Sequence, residues 1–314
     1  MSISETRNIF LRVLDKLPYV VAAGLAVSAF VFATVMVVTS LHEDVEYSFQ
    51  NDAERSAVVS AAPVTEDSVL AIPVTVGKPW DKHIVRRIDN HSFEGDERFN
   101  KLILPEGLHT IGYGTFYGCK KLRRLVIPES VYEINDGAFY GCTSLKEVNL
   151  PSKATSYGEF IFERCTGLEH VKVPEGMTVI PRSMFCACTA IEGIKLPSTI
   201  VSIEPLAFKD CTSLVEIVLP KGLHDIGGCA FEKCTSLRRV IIPPHINGLG
   251  VTAFNGCTSL REIVSEATVP PPLGSSVFDG ICGGATLYVP MESIEAYRAS
   301  AWGEYFTDIR EIDK

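Results

Sequence analysis

Ten cysteines give this 314-residue chain an unusual supply of reactive side chains, and seven of them are evenly spaced. Cys119, Cys142, Cys165, Cys188, Cys211, Cys234 and Cys257 follow one another in steps of 23. A thiol can attack an electrophile, hold a soft metal, form a disulfide or pack as a small apolar group. A nucleophile needs a base and a setting of its own, yet these seven share one context, as AFYGCTSL, AFKDCTSL and AFEKCTSL illustrate. A metal site needs ligands converging on a point, as in a CxxC knuckle, whereas equal steps place thiols in a line. Disulfides stay open as a reading: if successive repeats stack ~4.8 Å apart, neighbouring Cα atoms are close enough to bridge. Seven positions in a row cannot all pair, however. Packing is the favoured reading, because buried free cysteine behaves as a small hydrophobe. It predicts that Cys142→Ser costs ~1–3 kcal/mol by burying an uncompensated hydroxyl, and that Cys142→Ala costs less.

Cys186, Cys229 and Cys282 stand off this row and read as tolerated small residues, with Cys282 a candidate exposed thiol. The seven histidines are scattered, and no GxSxG, HExxH or phosphate-loop motif occurs. Gly141-Cys142 and Gly256-Cys257 read as turns. Asn90-His91-Ser92 is a glycosylation sequon in form only. The expectation is a protein that is not an enzyme, with no metal and no cofactor.

The elements that carry the cysteines repeat with the same period. Prolines recur at 105, 128, 151, 174, 197, 220 and 243, and phenylalanines at 116, 139, 162, 185, 208, 231 and 254. Such self-similarity marks a solenoid. In Leu145-Lys146-Glu147-Val148-Asn149-Leu150, Val148 and Leu150 alternate with polar residues, as in a strand with one buried face. Pro151 ends it, since proline cannot donate to a ladder. Val131 and Ile134 supply inward residues on the return, and Ala138-Phe139 carries the chain across the open end. One coil cannot bury its apolar face alone, so coils must stack.

These LxxVxLP, VxxI and AFxxCxxL segments resemble the cysteine-containing bacterial leucine-rich repeats known as BspA-like, over about residues 82 to 312. The resemblance implies a curved or gently twisted right-handed solenoid displayed outside the cytoplasm, and a part in adhesion to host or neighbouring-cell proteins. The fold class expected is an α/β repeat solenoid of 23-residue leucine-rich repeats with a parallel β-sheet on one face, preceded by one transmembrane helix. The divisions expected are a cytoplasmic N-terminus (1–16), a transmembrane helix (17–41), a flexible linker (42–79), an N-terminal cap repeat (80–104), seven repeats (105–265) and a C-terminal repeat and cap (266–314). In the N-terminal cap, Asp96 stands where a cysteine would fall. In the C-terminal one, Tyr297, Trp302, Phe306 and Ile309 close the core.

The transmembrane expectation rests on Leu17 to Leu41, 25 residues without a charge. A span needs about 20 apolar residues. Arg7, Arg12 and Lys16 precede it and an acidic stretch follows, which predicts a cytoplasmic N-terminus with the remainder exported. A cleaved signal peptide is the competing reading, but its apolar core is usually only ~7–15 residues long.

The net charge of −9 argues against nucleic acid as a partner, which would require a basic face. The outward residues of the sheet form the candidate ligand face: Lys172, Lys195, Val218, Arg238, Arg239, Ile241, Arg261 and Val264. Its far end is apolar and rimmed by arginine, a pattern seen at protein interfaces. The expected partner is another protein, whether of a host, a neighbouring cell or the cell's own envelope. The expected function is binding at the cell surface in adhesion or recognition, with scaffolding of envelope partners as the alternative.

Overall fold

The computed structural model describes residues 45–49, 56–78 and 80–312. Residues 1–16 and the apolar stretch 17–41 lie outside them. Among the described residues no helix is long and apolar enough to cross a membrane.

The repeats form a β-solenoid with two rows of parallel strands. The front row comes from the LxxVxLP segments, for example Glu147–Asn149, His170–Lys172, Gly193–Lys195 and Glu216–Val218. The rear row comes from the VxxI segments and has two residues per coil, as in Glu133–Ile134 and Ser202–Ile203. Pairing joins residues 23 apart, as in Glu147↔His170 and Ile203↔Ile226. Equal coil length is what keeps like residues opposite each other. Leu145, Phe139, Val131 and Ile134 are all at 0% exposure. The phenylalanine rings stack from coil to coil, with centroids 5.3 Å apart for Phe116–Phe139 and 5.2 Å for Phe231–Phe254.

The third side of each coil consists of turns, and here the α/β expectation is corrected. The α-helices described are Ile294–Arg298 and Trp302–Tyr305, both in the C-terminal closing segment. Two residues per coil hold φ above zero, such as Gly137 (60°) and Gly141 (68°), which a right-handed helix does not accept. The N–H groups of this side also bond outward. Phe116 donates to the Ala138 carbonyl and Gly118 to the Tyr140 carbonyl, where a helix would direct them four residues back.

The positive-φ positions are occupied by residues other than glycine in several coils, including Ala187 (57°) and Lys233 (60°). A left-handed conformation costs an L-residue ~1–2 kcal/mol, partly offset by the greater freedom glycine loses on folding. Ala187→Gly is therefore expected to raise stability by ~0.5–1 kcal/mol, read as a higher urea midpoint.

The linker expected over 42–79 is also corrected, because the described part of it is folded. β1 (Glu46–Phe49), β2 (Ser56–Ala61), β3 (Val69–Ala71) and β4 (Thr75–Lys78) precede β5 (Asp81–Ile88). β2 pairs in parallel with β5 and extends the rear row, and β1 covers the edge of β2 in antiparallel fashion. β3 pairs with Lys101–Ile103 and extends the front row. Ala57, Val59 and Leu70 are at 0% exposure. The extra β4–β5 hairpin hides this coil from the period, because Leu70 pairs with Leu102, 32 residues on.

At the other end, Thr286–Val289 and Asp308–Glu311 continue the front row. The Trp302 indole donates to the Pro271 carbonyl (2.8 Å) and the Tyr297 hydroxyl to the Ala267 carbonyl (2.9 Å). Both bonds pin the loop that carries Pro270, Pro271 and Pro272.

Both rows break at one shared seam, while near the N-terminal end the front row thins to the single bridges Lys101↔Arg124 and Arg124↔Glu147. His170–Lys172 pairs backward and Gly193–Lys195 forward, while Ser156–Tyr157 pairs backward and Val179–Ile180 forward. No ladder joins the two halves of either row among the described residues. Ala154 and Tyr157 take the places of the aliphatic pair found elsewhere as Val131 and Ile134. The Tyr157 hydroxyl donates instead to the Pro151 carbonyl (2.7 Å). The Phe162–Phe185 spacing beside the seam is the widest of the stack, 6.0 Å. On the turn side coil-to-coil bonding continues, as from Phe162 N–H to the Met184 carbonyl (3.0 Å).

Candidate functional site

The seven spaced cysteines are all at 0% exposure and unpaired by disulfides. Each thiol donates to the carbonyl of the phenylalanine 26 residues earlier, in the preceding coil. Cys142 reaches Phe116 (3.3 Å), Cys188 reaches Phe162 (3.1 Å) and Cys257 reaches Phe231 (3.1 Å). The same Phe116 carbonyl accepts the Cys119 N–H at 3.2 Å, so both its lone pairs are used. The first thiol of the row, Cys119, donates to Phe93 in the cap (3.0 Å). Asp96, standing where an eighth thiol would be, is gripped by the Arg98 side chain (2.7–3.1 Å) and backbone N–H (2.9 Å).

This geometry is inert. Burial pushes the Cys119 and Cys257 thiols up to about 12 and raises Cys142, Cys188, Cys211 and Cys234 as well. A protonated thiol without solvent access is a poor nucleophile and a poor ligand. Among the described residues no group of three or more His, Cys, Asp or Glu side chains is placed to hold a metal.

The thiol is a directed donor as well as a packing group, and the expected ranking of substitutions reverses. A serine at 142 keeps an acceptor in Phe116, whereas alanine loses the bond and opens a void. Cys142→Ser is now expected to cost about 1 kcal/mol and Cys142→Ala about 1–2 kcal/mol. Paired denaturation midpoints decide the order. An alanine variant more stable than the serine one means that the bond contributes nothing.

The off-row cysteines differ. Cys186 is half-buried in an open depression of about 500 Å³ lined also by Glu163, Arg182, Ser183 and Lys209. Burial, then the Glu163 charge, pushes its thiol up to about 12. Cys229 lies 3.0 Å from the Thr252 hydroxyl. Cys282 is half-buried, with its own turn's Gly283 carbonyl 3.6 Å away.

On the front face, Lys172, Lys195, Arg238 and Arg261 are exposed, as is Arg239, which pairs with Glu262 at 3.3 Å. Val218 is 72% exposed and Ile241 half-buried. Val264 is corrected: it is 6% exposed, with Ile241 and Tyr288 in register on either side of it. The intended apolar end is therefore narrower than its sequence. The opposite end of the same outward row is also apolar, and the cations beside it were not singled out from the sequence. Val126 is 68% exposed and Ile103 44%, beside exposed Lys101, Arg123 and Arg124. The signal was present as the run KKLRR at 120–124.

The architecture has relatives. The BspA type leucine-rich repeat region matches in six copies, over residues 82–192 and 178–301. The chain belongs to the BspA-type leucine-rich repeat family. No curated protein matches it. A leucine-rich repeat protein from Bacteroides ovatus is similar in structure, with 25% identity, a TM-score of 0.68 and coverage of 86% of this chain and 76% of that one. A leucine rich cell surface protein from Faecalibacterium prausnitzii is 18% identical, with a TM-score of 0.49 over 87% of this chain and 94% of that one. BspA-type repeats are generally non-enzymatic, and no catalytic family is indicated.

Proposed function

We propose that this BspA-type protein is anchored in a membrane through residues 17–41, carries its solenoid outside the cytoplasm and binds another protein there in adhesion or recognition. Leucine-rich repeat proteins generally bind other proteins. The observation that carries the reading is the front row of strands, whose inward residues are uniformly aliphatic and whose outward residues vary along the row. Along one outward row the chain presents Val126, Asn149, Lys172, Lys195 and Val218. A surface maintained only for packing has no use for that variety, and a binding surface does. The 25 uncharged residues with Arg7, Arg12 and Lys16 before them support the anchor.

Protease shaving of intact cells tests the placement. Loss of the solenoid from the washed membrane fraction is the expected result. Survival until the outer barrier is opened would overturn the adhesin reading and favour a scaffold for envelope partners.

A further inference from the structure

The protein carries a net charge of −9, yet five cations cluster on two adjacent coils at the N-terminal end of the front face. Lys101, Lys120, Lys121, Arg123 and Arg124 are all exposed. Among the ion pairs of the described residues, none engages any of the five. Neighbouring cations are committed elsewhere: Lys146 pairs with Glu169 and Arg98 with Asp96. Exposed carboxylates flank it: Glu97 in the cap, Glu147 in register with Arg124, and Glu106 and Glu129 three residues beyond Ile103 and Val126. The cation row itself remains positive.

An apolar row runs beside the charged one. Lys101, in the strand Lys101–Ile103, is joined to Arg124 of the next coil by a single parallel bridge. Two residues further along each of these extended segments come Ile103 and Val126, 44% and 68% exposed. Residues two apart on a strand share a face and are separated by ~6.7 Å. The surface is thus a cation row and an apolar row, parallel and one side-chain repeat apart. Highly charged polysaccharides satisfy the first row and leave the second in water. An extended peptide running along the strands satisfies both, because its own alternate side chains have the same spacing.

We infer that this end of the front face is a docking site for an extended, acidic segment of a partner protein that alternates carboxylate and aliphatic side chains on one face. The inference rests on the protein-binding reading above and adds the site and the partner's chemistry. Aspartate or glutamate meets Lys101, Arg123 and Arg124, while a leucine-sized residue covers Ile103 and Val126. Lys120 and Lys121, at the corner leading into the strand, raise the encounter rate.

The test uses the full chain and two labelled peptides, one of Glu-Ser-Leu-Ser repeats and one of Glu-Ser-Ser-Ser repeats, with heparin as the polysaccharide probe. The leucine-bearing peptide is expected to bind with an affinity that falls as salt rises, and at least tenfold more tightly than its leucine-free counterpart. Arg123→Glu with Arg124→Glu should weaken it at least tenfold, and Val126→Ser several-fold. All three positions are exposed, and an unchanged thermal midpoint verifies folding. Arg164→Glu with Lys233→Glu, both exposed on the turn side, should leave binding unchanged. Equal binding of both peptides, or displacement of the leucine-bearing one by heparin at lower concentration, overturns the inference. Sensitivity to Arg238 and Arg261 instead of Arg123 and Arg124 overturns this site while leaving protein binding by the face intact.

Discussion

Phe185→Ala is expected to cost ~3–5 kcal/mol and to split unfolding into two steps. Phe185 is fully buried and stacks between Phe162 (6.0 Å) and Phe208 (5.5 Å). The loss from the cavity is what any core phenylalanine would show. The position is what makes the outcome specific. In a solenoid each coil contacts only its neighbours, so cooperativity is the sum of coil-to-coil interfaces. Here the front and rear ladders both lapse between the coils of Phe162 and Phe185, and the interface rests on ring stacking, side-chain packing and the turn-side bonds. Removing the ring weakens the least bonded interface in the chain. Two transitions in urea, monitored by circular dichroism, are the expected result. Phe231→Ala, inside the continuous part of both rows, should destabilise by a similar amount and keep a single transition. A single transition in both variants would show that the seam is no mechanical weakness.

Alkali is expected to unfold the protein well below the pH at which an isolated backbone or lysine-rich surface would suffer. Burial raises the thiols of Cys119, Cys142, Cys188, Cys211, Cys234 and Cys257 above the ordinary value of 9.0, Cys119 and Cys257 to about 12. Between pH 9 and 12 the folded chain therefore binds more protons than the unfolded one. Stability is full below pH 9 and falls as pH rises through that window, by about 1.4 kcal/mol per pH unit for each retained proton. Cys119 and Cys257 alone give a slope of about 3 kcal/mol per pH unit, a large share of the 5–15 kcal/mol typical of a folded domain, and the other four act in the same direction. Urea midpoints at pH 8, 9 and 10, under a reductant, measure the slope. Cys119→Ala with Cys257→Ala should reduce it by about 3 kcal/mol per pH unit. A midpoint flat across that range would mean that the thiols ionise in place.

The period of 23 made the coil legible, because strand, return and turn each left a residue type at a fixed offset: Val148 and Leu150 in the front strand, Ile134 in the rear one, Phe139 and Cys142 under the turn. The direction of the thiol was not legible, since a spacing says which residues stack and not which carbonyl a side chain meets. The absence of helix from the third side escaped notice because more than half of the positive-φ positions hold residues other than glycine, among them Phe160, Leu206 and Lys233, which carry no turn signal. The N-terminal coil was lost for a different reason. Val59 and Leu70 are ordinary core residues, but the β4–β5 hairpin shifts their partners out of the period. On the surface, Val264 and Val126 occupy equivalent places and differ in exposure tenfold, because shielding depends on what stands on the flanking strands. No local pattern contains that information.

The in-register front rows carry a consequence for recognition. A surface produced by repeating one unit is symmetric under translation by ~4.8 Å. To an extended partner lying across it, every coil offers the same backbone relief, and docking displaced by one coil would cost nothing in shape. Only the outward side chains lift this degeneracy. Along one row they read Lys101, Arg124, Glu147, His170, Gly193, Glu216 and Arg239, a sequence of charges that coincides with no shifted copy of itself. The interior of the molecule is thus a lattice, and its exterior is an address written on that lattice. Exchanging Arg124 with Glu147 would preserve composition, core and net charge while moving the address by a single coil.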